Sequence, residues 1–151
     1  MADTGEYTYV VLNSSQLAGY GPSAWTNQLV SPLQFAAKRV QVALFDVTFS
    51  VQNSGNVGTY LVFTDAVVPN QIVAGEYTSL LRTIKFTKDT ALTSSLRGTF
   101  EPNNLQWVDC AGTGTSFNSI SVSITDSGGS WGPTTELTSN TLVTLVFREL
   151  E

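Results

Sequence analysis

Runs of alternating apolar and polar residues, rich in Val, Ile, Thr and aromatic side chains, recur along the chain at short spacing between clusters of Gly, Pro, Asn and Ser. A period of two belongs to a pleated strand whose two faces meet different surroundings, and punctuation this frequent leaves no stretch for a long helix. Composition agrees: charged residues make up 13% of the 151 positions, against about 25% in an ordinary domain. Ser and Thr fill the gap, and a chain so poor in Lys and Glu lacks the residues that sustain helices. The rhythm predicts an all-β fold.

The first run, Glu6 to Leu12, puts Tyr7, Tyr9 and Val11 on one face and Thr8, Val10 and Leu12 on the other. A loop from Ser15 to Asn27 leads to a short strand over Asn27 to Phe35, where Ser31-Pro32 predicts an edge position or a bulge, because proline cannot donate to a ladder. The run Arg39 to Gln52 is the strongest in the chain. Val40, Val42 and Leu44 share one parity and Phe45, Val47, Phe49 and Val51 the other, so either a β-bulge lies between Leu44 and Phe45 or both faces are covered. A further strand spans Gly58 to Thr64 and continues through Val67 to Gly75, followed by an apolar segment at Leu80, Leu81, Ile84 and Phe86. Lys88 to Arg97 is polar and fits a short helix or a loop, while Leu105 to Val108 reads as a short strand. Phe117 to Thr125 alternates with Ile120, Val122 and Ile124 inward and Ser119, Ser121 and Ser123 outward, and Thr141 to Phe147 is a last, well-buried strand. With no repeat and no linker, residues 1–151 are expected to form a single domain. About eight antiparallel strands with uneven loops favour a single jelly-roll β-sandwich, with the third and last strands central in their sheets.

Composition also removes functions. Seven Lys and Arg against twelve Asp and Glu give a net charge of -5, which argues against direct nucleic-acid binding through a basic face. The absence of His and the presence of a single Cys remove the commonest general base, most zinc sites and any intrachain disulfide. No segment approaches the roughly 20 apolar residues of a spanning helix, so no membrane span is expected. The N-terminus has no basic start followed by an apolar run of signal-peptide length, which predicts synthesis in a reducing cytosol or nucleus with no secretion signal. Asn13-Ser14-Ser15 is then a chance match to the glycosylation pattern.

Several strings imitate catalytic or binding motifs. Asp126-Ser127-Gly128-Gly129 copies a serine-protease nucleophile turn but lacks the base that must take the hydroxyl proton, so a polar hairpin turn accounts for it. Asp3-Thr4-Gly5 and Asp126-Ser127-Gly128 imitate the paired Asp motifs of aspartic proteases, yet Asp3 follows only Met1-Ala2 and precedes Glu6 instead of lying on an apolar strand. Gly112-Thr113-Gly114-Thr115-Ser116 lacks the following Gly, the Lys and the helix of a phosphate loop. Asp46, Asp65, Glu76, Glu101, Asp109 and Asp126 are scattered without calcium-loop spacing. Cys110, with no basic neighbour, reads as a buried inert thiol. Trp25, Trp107 and Trp131 fall in or beside expected loops, where they serve packing, a protein interface or sugar stacking. No catalytic residue, cofactor or metal ligand emerges, and the chain reads as a binding or assembly module, not an enzyme.

Four ordered stretches resemble a known family. YTYVVLNSS at 7–15 resembles the opening strand of the penton, or minor capsid, proteins of Polintons (Mavericks), adintoviruses, Polinton-like viruses and virophages. LVSPLQF at 29–35 and RVQVALFDVTFS at 39–50 are similar to the Pro-Leu step and following strand of that family, with Val40 where Trp is frequent and Asp46 where Glu is frequent. YLVFTDAVVPNQIVAGEYTSLLRTI at 60–84 resembles its aromatic strand, Asp, Pro-Gln-Ile-Val-Gly-like turn and Leu-Leu-Arg, with Asn70 inserted. FNSISVSITDSGG at 117–129 and TLVTLVFREL at 141–150 resemble the closing strand pair, Val146 replacing the usual His.

The resemblance implies a single jelly roll, homopentamers at icosahedral vertices of a DNA virus or virus-like element, and docking against a double jelly-roll major capsid protein and other minor capsid or spike proteins. Loops at 15–27, 53–58 and 127–140 are expected to face partners or the exterior. The alternative is a jelly-roll receptor- or carbohydrate-binding spike module, motivated by Trp25 and Trp131 in loops.

Overall fold

The computed structural model describes residues 3–14, 23–37, 39–51, 57–87, 96–111, 116–126 and 141–150. These carry eleven strands and, among the described residues, no α-helix. In chain order they are β1 (Asp3–Asn13), β2 (Ala24–Gln34), β3 (Arg39–Val51), β4 (Val57–Thr64), β5 (Gln71–Val73), β6 (Glu76–Thr78), β7 (Leu80–Thr87), β8 (Leu96–Phe100), β9 (Val108–Asp109), β10 (Ser116–Asp126) and β11 (Leu142–Leu150).

Every pairing is antiparallel. One sheet, sheet A, has the order β1-β11-β3-β8, with β9 also paired to β3; sheet B has the order β2-β10-β4-β7; β5 and β6 form a separate hairpin. Setting aside the short β5, β6 and β9, the strands β1 to β4 alternate between the two sheets, β7 stays beside β4 in sheet B, β8 returns to sheet A, and the last two, β10 and β11, lie beside β2 and β1. That is the strand order of a jelly roll, as the rhythm of the sequence predicts.

The sheets pack face to face on a shared core. Leu12, Val42, Leu44, Val47, Phe49, Val143, Leu145 and Phe147 from sheet A meet Trp25, Tyr60, Val62, Ile84, Ile120, Val122 and Ile124 from sheet B. Phe49 meets Tyr60 edge-on at 6.1 Å between ring centroids, and Phe147 sits between Phe35 and Phe117 at 5.4 and 5.8 Å. The inward and outward sets of β10 fall as expected, with Ile120, Val122 and Ile124 buried and Ser119, Ser121 and Ser123 half-buried on the other face. The two strands expected to be central, β3 and β11, are central in sheet A. Asn27 ties the sheets at one end: its Oδ1 accepts from the Trp25 indole at 2.9 Å and from the Asn13 amide at 3.0 Å, and its Nδ2 donates to the Asn13 carbonyl.

The parity change in the third strand is a bulge. Leu145 opposes Leu44 and Thr144 opposes Asp46, so Phe45 has no partner on β11. The proline step in β2 also behaves as expected: β2 is the edge of sheet B, and its register against β10 slips between Gln28 and Leu33.

Four expectations need correction. β2 starts at Ala24, not near Asn27, because the β10 ladder extends to Ser123↔Ala24 and Trp25 is drawn into the core. Residues 96–100, read as the end of a polar helix or loop and the start of a later segment, form β8 on the open edge of β3; residues 88–95 lie outside the described set. The strand expected at Leu105 to Val108 is reduced to Val108–Asp109, since the chain leaves the sheet at Pro102-Asn103-Asn104 and rejoins β3 only at Val42 and Gln41. The Gly58–Thr64 strand does not continue to Gly75: it ends at a turn over Asp65 and Ala66, Val67 makes a single bridge to Cys110, and the hairpin β5–β6 follows.

The hairpin turns at Ala74 (φ 50°) and Gly75 (φ 87°), both in the left-handed region. Such a two-residue turn matches the twist of its strands, but a Cβ at Ala74 carries a steric penalty that Gly does not. Ala74→Gly is expected to stabilise the fold by about 0.5–1 kcal/mol and Gly75→Ala to destabilise it by about 1 kcal/mol, measured by urea unfolding.

The bulge makes a second, unusual prediction. Removing Phe45 leaves Leu44 and Val47 in phase on a regular strand, whereas removing Thr144 from the facing β11 sets Val143 and Leu145 on opposite faces. Deletion of Phe45 is therefore expected to keep a cooperative thermal transition and deletion of Thr144 to abolish it, as followed by near-ultraviolet circular dichroism.

Candidate assembly surface

The outer face of sheet A is built from three cross-strand rows. Tyr7, Arg148, Gln41 and Asp109 lie side by side on β1, β11, β3 and β9; Tyr9, Val146 and Ala43 form the next row; Val11, Thr144 and Asp46 the third. The alternation of β1 turns Leu12 into the core and sends Tyr7, Tyr9 and Val11 outward, where they are 48%, 54% and 61% exposed. The bulge adds Phe45, 40% exposed, to the same face, and its ring meets Tyr9 edge-on at 5.2 Å. Beneath these rings Val146 and Ala43 are fully buried, although they point away from the core between the sheets.

The first row is polar and fully linked. Arg148 donates from Nε and Nη2 to Gln41 Oε1 at 3.0 and 2.7 Å, and Gln41 Nε2 donates to Asp109 Oδ1 at 2.9 Å. Arg39 grips the same carboxylate through two hydrogen bonds of 3.1 and 3.2 Å. Trp107 covers this row: the Arg148 guanidinium lies 4.2 Å from its ring centroid, and Tyr7 stacks on it at 5.9 Å. A cation held against an indole face and fixed by a neutral amide is a rigid arrangement that costs little desolvation. The surface therefore offers ordered aromatic area with few free charges, the composition that distinguishes the centre of a protein interface.

Sheet B presents a different exterior. Ser123 and Thr125 of β10 and Phe63 of β4, with Val73, Ala74, Glu76 and Thr78 of the β5–β6 hairpin, line a cavity of about 400 Å³, and a second hollow of about 380 Å³, reaching Ser121, shares Phe63 and Ser123 with it. Ile72 and Tyr77, paired across the hairpin, are exposed, as is Val30 on β2.

The motif residues are placed apart. Asp3 begins β1 in sheet A and Asp126 ends β10 in sheet B; Gly5, at φ 76°, serves an irregularity of the edge strand between Asp3 and Tyr7. Residues 127–129, 112–115 and Trp131 lie outside the described residues, as do 15–22, 52–56 and 127–140 of the expected exposed loops. Asp65 accepts a hydrogen bond from the Ser121 amide, and Asp109 is engaged by Arg39 and Gln41. Among the described residues no group of three or more Cys, Asp or Glu side chains is placed to hold a metal ion. Trp25 is not in a loop: it is 2% exposed in β2, which removes half of the motive for the sugar-stacking alternative. Trp107, expected within the short strand Leu105 to Val108, lies outside any strand, just before β9, and it serves the aromatic face. That the tyrosine face of β1 points outward was not legible; the two faces of the run are equally apolar, and only the placement of Leu12 in the core decides between them.

No family model matches the chain, and no curated protein matches it in sequence. Among solved structures, the mavirus penton protein superposes with a TM-score of 0.67 at 7% identity, over 96% of this chain and 100% of that one. This chain has the fold of a viral penton protein. A subunit of the virus-like particle of the Macrobrachium rosenbergii extra small virus aligns at TM-score 0.30 and 8% identity over 97% of this chain and 80% of its own. The infectious bursal disease virus subviral-particle protein aligns at 0.32 and 9% over 96% and 33%. Neither of these looser alignments bears on the reading.

Cys110 is buried at its bridge with Val67, and burial, followed by the neighbouring Asp109 charge, pushes its thiol up to about 12. A native thiol held above its ordinary value of 9.0 stays protonated while the unfolded thiol ionises. The unfolded chain then binds fewer protons above pH 9, and stability falls as pH rises toward 12 by up to about 1.4 kcal/mol per pH unit. Cys110→Val is expected to flatten that slope, measured by urea unfolding between pH 8 and 10. The native protein should also resist thiol labelling at pH 8 until it is unfolded.

Proposed function

We propose that residues 1–151 act as one jelly-roll domain whose role is structural: a penton or minor capsid subunit of a DNA virus or virus-like element, made in the host cytoplasm or nucleus. In this reading it forms homopentamers at icosahedral vertices, docks against a double jelly-roll major capsid protein and carries no enzymatic activity. The observation that carries it is the end-to-end correspondence with the mavirus penton protein, at TM-score 0.67 over 96% of this chain and all of that one. At 7% identity the correspondence speaks for the fold; the ordered motifs of 7–15, 29–50, 60–84 and 117–150 lend the functional reading independent support.

The physical chemistry of the surface fits that role. A ring closed by cyclic symmetry joins two different patches of each subunit. The outer face of sheet A, with Tyr7, Tyr9, Val11 and Phe45, supplies one of them, and Val30, wholly exposed on the edge strand β2, belongs to a surface available for the other.

Native mass spectrometry of the purified chain is expected to show a pentamer, and Tyr9→Lys combined with Val11→Lys to reduce it to monomer. Because both side chains are more than half exposed, each replacement should change unfolding free energy by no more than about 0.5 kcal/mol. A wild-type chain that remains monomeric at high concentration, together with virion density that places it away from the vertices, overturns the reading.

A further inference from the structure

We propose that the β5–β6 hairpin of one copy of this chain seats on the aromatic outer face of sheet A of a second copy. The proposal rests on the homopentamer reading above and names the contact that joins neighbouring subunits.

The hairpin is amphipathic in the wrong sense for a subunit that stays alone. Val73, Glu76 and Thr78 face the cavity over sheet B. Ile72 and Tyr77 alternate with them, oppose one another across the hairpin and point away from the sheet, 64% and 72% exposed. A lone subunit gains by the reverse arrangement, with the isoleucine and tyrosine turned onto Phe63 and the glutamate and threonine outward. A two-stranded ribbon is also marginal without further packing. Burial of Ile72 and Tyr77 against a surface outside the subunit accounts for both facts.

The same chain carries a surface that fits them. On sheet A, Tyr9 and Phe45 stand edge-on at 5.2 Å with Val11 beside them, a flat area of rings able to receive a tyrosine and an isoleucine from a projecting turn. The two surfaces lie on opposite exteriors of the sandwich, so their union is heterologous, the kind of contact that a ring of more than two copies requires.

Charge selects the same pairing. Asp46, half-buried in the row of Val11 and Thr144 on the aromatic face, has no ion-pair or hydrogen-bond partner among the described residues, and neither has Lys85 on β7. Ile84 enters the core, so Lys85 is turned to the exterior of sheet B, the one that carries the hairpin. Arg39, Arg82 and Arg148 are already engaged, by Asp109, the Asn104 carbonyl and Gln41. Bringing the exterior of sheet B onto that of sheet A sets an unpaired cation against an unpaired carboxylate. Two aromatic faces meeting each other would instead oppose Asp46 to Asp46 and close at two copies.

The test uses the full-length protein. Tyr9→Cys and Tyr77→Cys, combined in one chain and treated with a short bismaleimide, are expected to link copies into a ladder ending at the pentamer, while either variant alone gives no linked dimer; buried Cys110 stays out of the reaction. By analytical ultracentrifugation, Ile72→Ser with Tyr77→Ser should weaken assembly at least tenfold with the thermal midpoint unchanged or higher. Asp46→Lys and Lys85→Glu should each weaken it at least tenfold, and their combination should restore it to within a few-fold of wild type. A wild-type pentamer with no Tyr9–Tyr77 link, linkage by the Tyr9 variant alone, or assembly indifferent to the hairpin variant overturns the proposal, the last by assigning the hairpin to a different protein; all three leave the capsid reading standing. Failure of the charge reversal to restore assembly overturns it as well. A monomeric wild type also overturns it, and virion density then decides the capsid reading separately.

Discussion

A strand buried on one face along its whole length tolerates no extra residue unless the ladder absorbs it, and Phe45 is such a residue. On its N-terminal side the core takes Val42 and Leu44; on its C-terminal side it takes Val47 and Phe49. The bulge keeps both halves of β3 in phase with β11, the strand beside it at the centre of sheet A, and so holds together the pair on which the whole sheet is ordered. It also has an external consequence, since the displaced ring is sent outward to meet Tyr9. One local irregularity thus serves the core and shapes the surface.

The two sheets turn contrasting exteriors to their surroundings. Sheet A is covered by rings and by a linked polar row in which Arg148, Gln41, Asp109 and Arg39 satisfy one another, so that its apolar area is presented with little free charge. Sheet B exposes a row of hydroxyls under a small hairpin and retains a buried hydroxyl without a partner. The first exterior is suited to stable contact with another protein, because aromatic area lost to solvent drives association and needs no compensating charge. A jelly roll allows this contrast: its two outer faces belong to different sheets and answer to different constraints while sharing one interior.

Much of this was legible from residues alone, and the failures have physical causes. The alternation of β10 and the bulge in β3 were readable because period-two burial is recorded directly in the order of side chains. β8 was missed because Leu96 to Phe100 has no helical or strand periodicity strong enough to stand out, and its strand state comes from the unfilled edge of β3. Trp25 was placed in a loop because the preceding Gly and Pro residues are loop formers, while the pairing Val122↔Trp25 that pulls it inward joins residues far apart in the chain. The groove was invisible for the same reason: Phe63, Glu76 and Thr125 share no local pattern, and only the folding of the hairpin onto β10 and β4 brings them together.

By itself, then, the amino-acid order determined the all-β class, the approximate number of strands, the inward set of each strongly alternating run, and the want of histidine and paired cysteine chemistry. These follow from steric periodicity and from side-chain chemistry, which act residue by residue. The tertiary structure decided which of two similar faces of β1 looks outward, which strands became edges, and which hydroxyls and carboxylates share a cavity. Those outcomes depend on contacts between segments distant in sequence, and no local preference can specify them until the sheets have closed over a common core.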